Sequence, residues 1–325
     1  MLALVVTIDT EEEGRWSTRY PAEGNTCENI SRLVRIHRIF KRHGVIPTYL
    51  VDYPVVTDPA ATETLKQFAA DGASEIGAHL HPWCNPPFYP GSDSSTASTY
   101  PHNLPVEMQR AKLTHLCRTI EERVGVKPTS YRAGRWGFDH TSVPILEELG
   151  ILVDTSVTPL WWRSGKHAPE FARAPVVPYH LSAADACRPG ASPVVEVPMS
   201  NLVVGRHGPL LEKFVRRTGP APGMRRLLVS LGLRSLRPEQ FTLKQMIGLT
   251  DAIARRGLGV FNVMFHSSVA LPGATPYVAD ERQLEEFCGR LEALLTHILS
   301  AHHATPLPLS RVPAFLGNAV LGGQD

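Results

Sequence analysis

Two kinds of apolar run alternate along the chain. Short runs rich in β-branched residues, at 2–8, 45–51, 74–78, 129–131, 152–153 and 259–265, predict strands. Longer runs with apolar residues every three or four positions, at 29–43, 60–71, 107–124, 141–149, 243–256 and 280–301, predict helices. Strand–helix–strand repetition of this kind implies parallel pairing, because parallel neighbours must be joined by a crossover, usually a helix. Gly44, Gly72, Gly125, Gly150 and Gly257 each follow a helical run, where a left-handed C-cap is wanted. The pattern predicts an α/β chain with a parallel sheet.

Two segments break the rhythm. Residues 82–105 are rich in Pro and Ser and follow a strand end, which predicts a loop draped over a site. Residues 156–240 form a second long insertion, with one strand expected at 194–197. Within it, 206–237 carries eight Lys/Arg against the single acidic Glu212. That stretch has two open readings: a solvated face on one or two helices, or a surface for an anionic substrate or phospholipid headgroups that gives weak peripheral membrane contact.

At 325 residues the chain exceeds an ordinary domain, but α/β barrels commonly fill about 200 to 300 residues around one core, so one domain spanning 1–325 is expected. The net charge of +2 gives no reason to expect nucleic acid as a partner. The apolar start lacks a basic n-region and runs straight into Asp9-Thr-Glu-Glu-Glu13, so it predicts a first strand rather than an export signal. No apolar run approaches the ~18 residues of a membrane span. Five cysteines, without CxxC spacing, fit reduced thiols and a cytoplasmic location. The oligomeric state is left open.

The candidate chemistry sits at predicted strand ends. Asp9 and Glu11 are two apart, as are His79 and His81, and residues two apart on a strand share a side. Two imidazoles and a carboxylate form a ligand set of catalytic metal sites that keeps a position open for water. Arg132 leads into the Gly-containing turn Ala-Gly-Arg-Trp-Gly137, and Asp154 and His266 end two further strands. Each residue alone has a plain structural explanation, such as an ion pair, a helix cap or the polar end of a buried strand. Together they occupy the C-terminal ends of five strands, the edge where parallel barrels collect catalytic groups.

The segments Thr7-Ile-Asp9-Thr-Glu11, Glu75-Ile-Gly-Ala-His79-Leu-His81-Pro-Trp83, Tyr131-Arg132-Ala-Gly-Arg-Trp-Gly137, Asp154-Thr-Ser156 and Met264-Phe-His266-Ser-Ser268 resemble, in order and approximate spacing, the five motifs of the polysaccharide deacetylase family, carbohydrate esterase family four. The resemblance covers residues 2–270. It implies a distorted parallel (β/α)7 barrel and metal-assisted removal of an N-acetyl group from an amino sugar. By that resemblance Asp9 is the base, Arg132 holds it, His266 is the general acid, and Asp154 orients His266. Glu11, His79 and His81 are the implied ligands of one divalent metal, Zn before Co or Ni. Two departures stand out: the family's metal carboxylate follows the base at once, whereas Thr10 intervenes here, and Trp83 occupies the usual place of the second histidine. Those departures keep two rivals in view, a metal-free C–N hydrolase of a small amide and a catalytically silent glycan-binding protein.

Overall fold

The computed structural model describes the whole chain except residues 15, 17–19, 71, 89–95, 161–166, 220, 222 and 318–325. Parts of both expected insertions and the last residues of the expected domain therefore lie outside the described residues. In order, the elements are β1 (Ala3–Thr10), α1 (Glu28–Arg32), α2 (Val34–His43), β2 (Thr48–Val51), α3 (Tyr53–Thr57), α4 (Pro59–Ala70), β3 (Glu75–Leu80), α5 (Val106–Val124), β4 (Ser130–Ala133), α6 (Val143–Leu149) and β5 (Val153–Asp154). There follow β6 (Tyr179–His180), β7 (Val195–Glu196), β8 (Asn201–Val203), α7 (Gly208–Thr218), α8 (Met224–Ser230), β9 (Leu233–Ser235), α9 (Leu243–Arg256), β10 (Val260–His266), α10 (Glu281–Ala301), β11 (Thr305–Pro306) and α11 (Val312–Leu316).

The strands β10-β1-β2-β3-β4-β5-β7 run in that order as seven parallel neighbours, with β6 antiparallel on the edge and β11 paired to the start of β1. This is the expected distorted barrel, open between β7 and β10. Polar groups fill the seam: Asn262 Nδ2 reaches the Val197 and Pro198 carbonyls at 3.3 Å each, and the Met264 N–H donates to the Leu236 carbonyl at 3.0 Å.

Strand parity sorts the side chains. On β1, Leu4, Val6 and Ile8 join the large core between sheet and helices, while Ala3 and Val5 join Val153, Val195, Val197 and Val260 in a smaller cluster inside the barrel, closed below by Leu309, Val312 and Leu316. Above this apolar floor Thr7, Asn262, Thr155 and Arg132 make a hydrogen-bonded belt, and Asp9 follows two residues beyond Thr7. The interior thus turns from apolar to charged toward the strand C-termini.

The helices form where the 3.6-residue pattern placed them. Ile36, Ile39 and Phe40 bury one face of α2, and Met246, Leu249 and Ile253 one face of α9. Thr242 and Gln245 make a capping box at the start of α9, and Gly257 ends it at φ 64°. Two differences from the sequence expectation have local causes. The predicted helix at 29–43 is divided at Leu33 into α1 and α2. The unanticipated α3 starts because Asp52 caps it, accepting from the Val55 N–H at 3.1 Å, with Pro54 in its first turn. Residues 156–240, expected to insert one strand at 194–197 with one or two helices as one reading of the basic stretch, carry β7 at that strand and α7 and α8 in that stretch, and add β6, β8 and β9.

Candidate active site

Strand register brings most of the expected residues together. Asp9 on β1 is level with His266 on β10, and His79 on β3 is level with Arg132 on β4. Glu11 and His81 follow just past the ends of β1 and β3. Arg132 is fully buried and clamps Asp9: its Nη1 donates to Asp9 Oδ1 at 2.5 Å, Nη2 to Thr7 Oγ1 at 2.8 Å, and Nε to the Thr155 carbonyl at 3.0 Å. Burial would raise the Asp9 pKa, but the charges of Arg132 and His266 and the Arg132 hydrogen bond outweigh it and hold the carboxyl below its ordinary range. Asp9 is therefore ionised at any working pH.

His79 and His81 converge on Glu11, with Nε2 atoms at 3.6 and 3.5 Å from its Oε2. Their outward nitrogens are held elsewhere. His79 Nδ1 lies 2.9 Å from the Arg132 carbonyl, so it carries the proton and donates, while His81 Nδ1 lies 2.8 Å from Glu12 Oε2. That arrangement fixes the tautomer that turns both Nε2 lone pairs inward. His79 Nε2 is buried and has no hydrogen-bond partner. Donors at ~2.0–2.2 Å from a tetrahedral ion stand about 3.3–3.5 Å apart. The two carboxylate–imidazole separations are close to that spacing, and the three ligand atoms of Glu11, His79 and His81 lie within 4.8 Å of one another, so the set could hold a small divalent cation.

Trp83, in the family's place for a ligand, has another role. It stacks on His81 with ring centroids 4.3 Å apart and donates its Nε1–H to Glu12 Oε1 at 2.9 Å. Glu12 thus anchors His81 and Trp83 at once. Asp52 lies beside it, 3.2 Å from His81 Nδ1, and burial together with Glu12 pushes the Asp52 carboxyl well up. Gly134 is required by the same packing, since a Cβ there would stand 2.4 Å from His81 Cδ2 and 2.4 Å from the Leu80 carbonyl oxygen. Glu11 is fixed through its backbone: Asn29 Nδ2 donates to its carbonyl at 3.1 Å, and its N–H donates to Ser267 Oγ at 3.1 Å.

Asp154 does not orient His266. In register it is level with Tyr131, one residue before Arg132, so it points to the opposite face from Arg132, where its carboxylate accepts from the Ser156 hydroxyl at 2.7 Å and lies against Glu196. Glu239, just after β9, holds His266 instead: Oε1 is 2.9 Å from His266 Nδ1, and Oε2 accepts the His266 backbone N–H at 3.1 Å. Arg237 pairs with Glu239 at 2.5 Å. Burial disfavours charge on His266, but Glu239, Glu11 and Asp9 outweigh it and raise its pKa above the ordinary imidazole value. Glu239 is itself buried, yet His266 and Arg237 bring it down to about 2.

The turn after Arg132 has Arg135 and Trp136 at φ 56° and 62°, two consecutive non-glycine residues in the left-handed region. Each such residue costs on the order of 1 kcal/mol, an expense that concentrates at functional sites. The Gly137 N–H is committed to the Gly134 carbonyl at 2.9 Å, so of the three amides from Arg135 to Gly137 only the first two remain candidates for an oxyanion site.

Three of the missed residues, Glu12, Asp52 and Glu239, are buried acids. Asp52 carried a signal, an acid directly after a strand and before Tyr-Pro, and Glu12 lay inside the Glu11-Glu12-Glu13 run. Glu239 had none.

No protein-family model matches the sequence, and no curated protein matches it significantly. Solved structures do. A candidate polysaccharide deacetylase from Mycobacterium smegmatis aligns over 100% of this chain and 93% of its own, at 16% identity and TM-score 0.56. A candidate polysaccharide deacetylase from Pseudomonas aeruginosa PAO1 covers 96% and 89%, at 15% identity and TM-score 0.50. A GH57 branching enzyme from Thermococcus kodakaraensis covers 95% and 70%, at 12% identity and TM-score 0.51. The fold is shared with these barrels. Since deacetylases and a branching enzyme lie about equally near, the chemistry has to be argued from the site.

Proposed function

We propose that this chain is an N-deacetylase of the polysaccharide deacetylase type, hydrolysing the N-acetyl group of an amino sugar in a reducing compartment. The observation that carries the reading is the convergence of His79 Nε2, His81 Nε2 and Glu11 between two differently held groups, Asp9 on Arg132 and His266 on Glu239. A divalent cation on Glu11, His79 and His81 would make a water acidic enough to attack near neutral pH and would polarise the acyl oxygen.

The remaining steps belong to the chain's own side chains. Asp9 takes the proton from the attacking water, and Arg132 keeps its carboxylate charged and aimed. His266, held protonated by Glu239, gives its proton to the amine nitrogen as the C–N bond breaks, leaving acetate and a free amine. A positioned acid or base of this kind contributes about 10²- to 10⁴-fold. The Arg135 and Trp136 amides, in the left-handed turn after β4, are the donors we assign to the developing oxyanion. A glycosidase reading fits less well, because glycosidases need two carboxyls on opposite sides of the scissile bond. Here Asp9 and Glu11 both come from β1 and its extension, and both lie within 4.0 Å of His79.

The test is acetate release by the purified protein, loaded in turn with Zn, Co and Ni, from N-acetylglucosamine oligomers, nucleotide sugars and acetylated aminoglycosides, with bound metal measured in parallel. Turnover with about one metal per chain is expected. Turnover with no bound metal would favour the metal-free hydrolase, and metal binding without turnover of any substrate would favour a silent glycan-binding protein.

A further inference from the structure

The insertion that supplies Glu239 also builds an outward face with an unusual composition. Five of the ten large apolar side chains most exposed among the described residues fall between Leu210 and Leu231: Leu210, Phe214, Leu227, Val229 and Leu231. On α7 the outer stripe is Leu210, Lys213, Phe214 and Arg217, spaced i, i+3, i+4, i+7, so apolar and basic residues share one face. Leu210 is 69% and Phe214 56% exposed, although an inner face was available, where Val215 packs with Leu160, Ala172, Val203, Leu228 and Leu233 in a small core of its own.

The charge of this face is one-sided. Arg206, Lys213, Arg217 and Arg226 are exposed, and the stretch's single acid, Glu212, is turned inward. Glu212 is fully buried, accepting from Arg256 at 3.0 and 2.7 Å and from the Val203 N–H at 2.9 Å. A solvated helix face would carry both signs and no exposed Phe. Exposed apolar side chains interspersed with exposed cations, with the one acid turned inward, match an interface whose headgroups are negative and whose interior is hydrocarbon.

We propose that the outer face of α7 and α8 is a docking surface for an anionic lipid bilayer. Leu210, Phe214 and Leu227 insert at the headgroup–acyl boundary, while Lys213, Arg217 and Arg226 pair with lipid phosphates. Among the described residues no helix is long and apolar enough to cross a membrane, so attachment is peripheral. Taken with the deacetylase reading, on which this one clause rests, docking would place the cleft beside an amino sugar carried at a membrane surface. The docking itself does not depend on that reading.

The test is co-sedimentation of the full chain with vesicles of phosphatidylcholine alone or mixed equally with phosphatidylglycerol, at low and high salt. Binding is expected only to the mixed vesicles, and high salt should weaken it. Lys213→Gln with Arg217→Gln should lower the partition coefficient about fivefold per charge. Leu210→Ser with Phe214→Ser should lower it about tenfold or more. No binding, equal binding to neutral vesicles, or unchanged binding by both variants overturns the proposal. So does a wild-type dimer that ignores vesicles and becomes monomeric in the serine variant, which would assign the face to a second copy. Acetate release from a soluble substrate is followed on the same samples: docking without turnover removes the deacetylase reading alone, and turnover without docking removes the docking surface alone.

Discussion

His79 and His81 on one wall of the cleft and His266 on the other are all buried, and all three use Nδ1 for an outward contact, yet they are prepared for different tasks. Behind His79 is a neutral carbonyl, and behind His81 the two carboxyls of Glu12 and Asp52. Both present a lone pair toward Glu11. His266 is backed by Glu239, held near pKa 2 and so fully ionised, which makes its imidazole an acid that keeps its proton. A histidine's role here is set by the partner behind it.

The largest effects should come from separating ligand from base. Glu11→Ala is expected to lose metal and activity together, to background, because it removes one of the three proposed ligands. Asp9→Asn keeps the shape but cannot accept the water proton, so turnover should fall about 10²- to 10⁴-fold with metal retained. Metal analysis beside acetate release checks both. Metal lost from Asp9→Asn and kept in Glu11→Ala would show the two roles exchanged.

A smaller effect tests the support behind His81. Glu12→Gln leaves every ligand in place but replaces the carboxylate behind His81 by an amide, making the imidazole a poorer donor. Metal affinity should drop about 10- to 100-fold, as measured by competition with a chelator. Unchanged affinity would mean that Asp52 alone holds the ring.

The opposite wall is tested through pH. In the proposed reaction the proton on His266 must be present for the amine to leave, so activity should fall as pH rises through its pKa, which is raised in the fold. Glu239→Gln removes the strongest of the interactions that raise it and leaves burial, which acts the other way. The alkaline limb of kcat should move to lower pH, by about tenfold in rate at fixed pH for each unit moved, while metal content stays the same. A limb that does not move would separate Glu239 from the acid. Glu239→Asp, which restores the charge on a shorter arm, should recover part of the limb.

How much of this was legible follows from what local pattern encodes. β1 reads as a strand because it is buried on both faces and hence apolar without a break from Ala3 to Val6, and the helices read because their stripes and glycine caps are local. Asp9, Glu11, His79 and His81 were visible because two-residue spacing at a strand end is itself the geometry. Asp154 was misplaced because parity across strands depends on register: level with Tyr131 it faces outward, and level with Arg132 it would face in. Glu239 was invisible because it lies four residues beyond β9, a three-residue strand too short to show any period.

The displaced Asp154 supplies the smallest prediction. Asp154 and Glu196 are level on β5 and β7, and both are fully buried on the outward face. Burial raises both pKa values, Glu196 well above its ordinary range with Asp154 adding to the rise. An acid whose folded pKa is raised binds more protons folded than unfolded, so its contribution to stability is unpenalised below the unfolded pKa and declines as pH rises toward the folded one. Glu196→Gln removes that proton requirement. Its amide oxygen can keep the Val157 N–H, held at 3.1 Å in the native chain, and its amino group can donate to Asp154. The variant should match the wild type near pH 5 and melt a few degrees higher near pH 8, with the slope of stability against pH reduced by up to about 1.4 kcal/mol per pH unit. Parallel melting curves for the two proteins across that range would show that the pair stays ionised and that its charges are met by groups other than a shared proton.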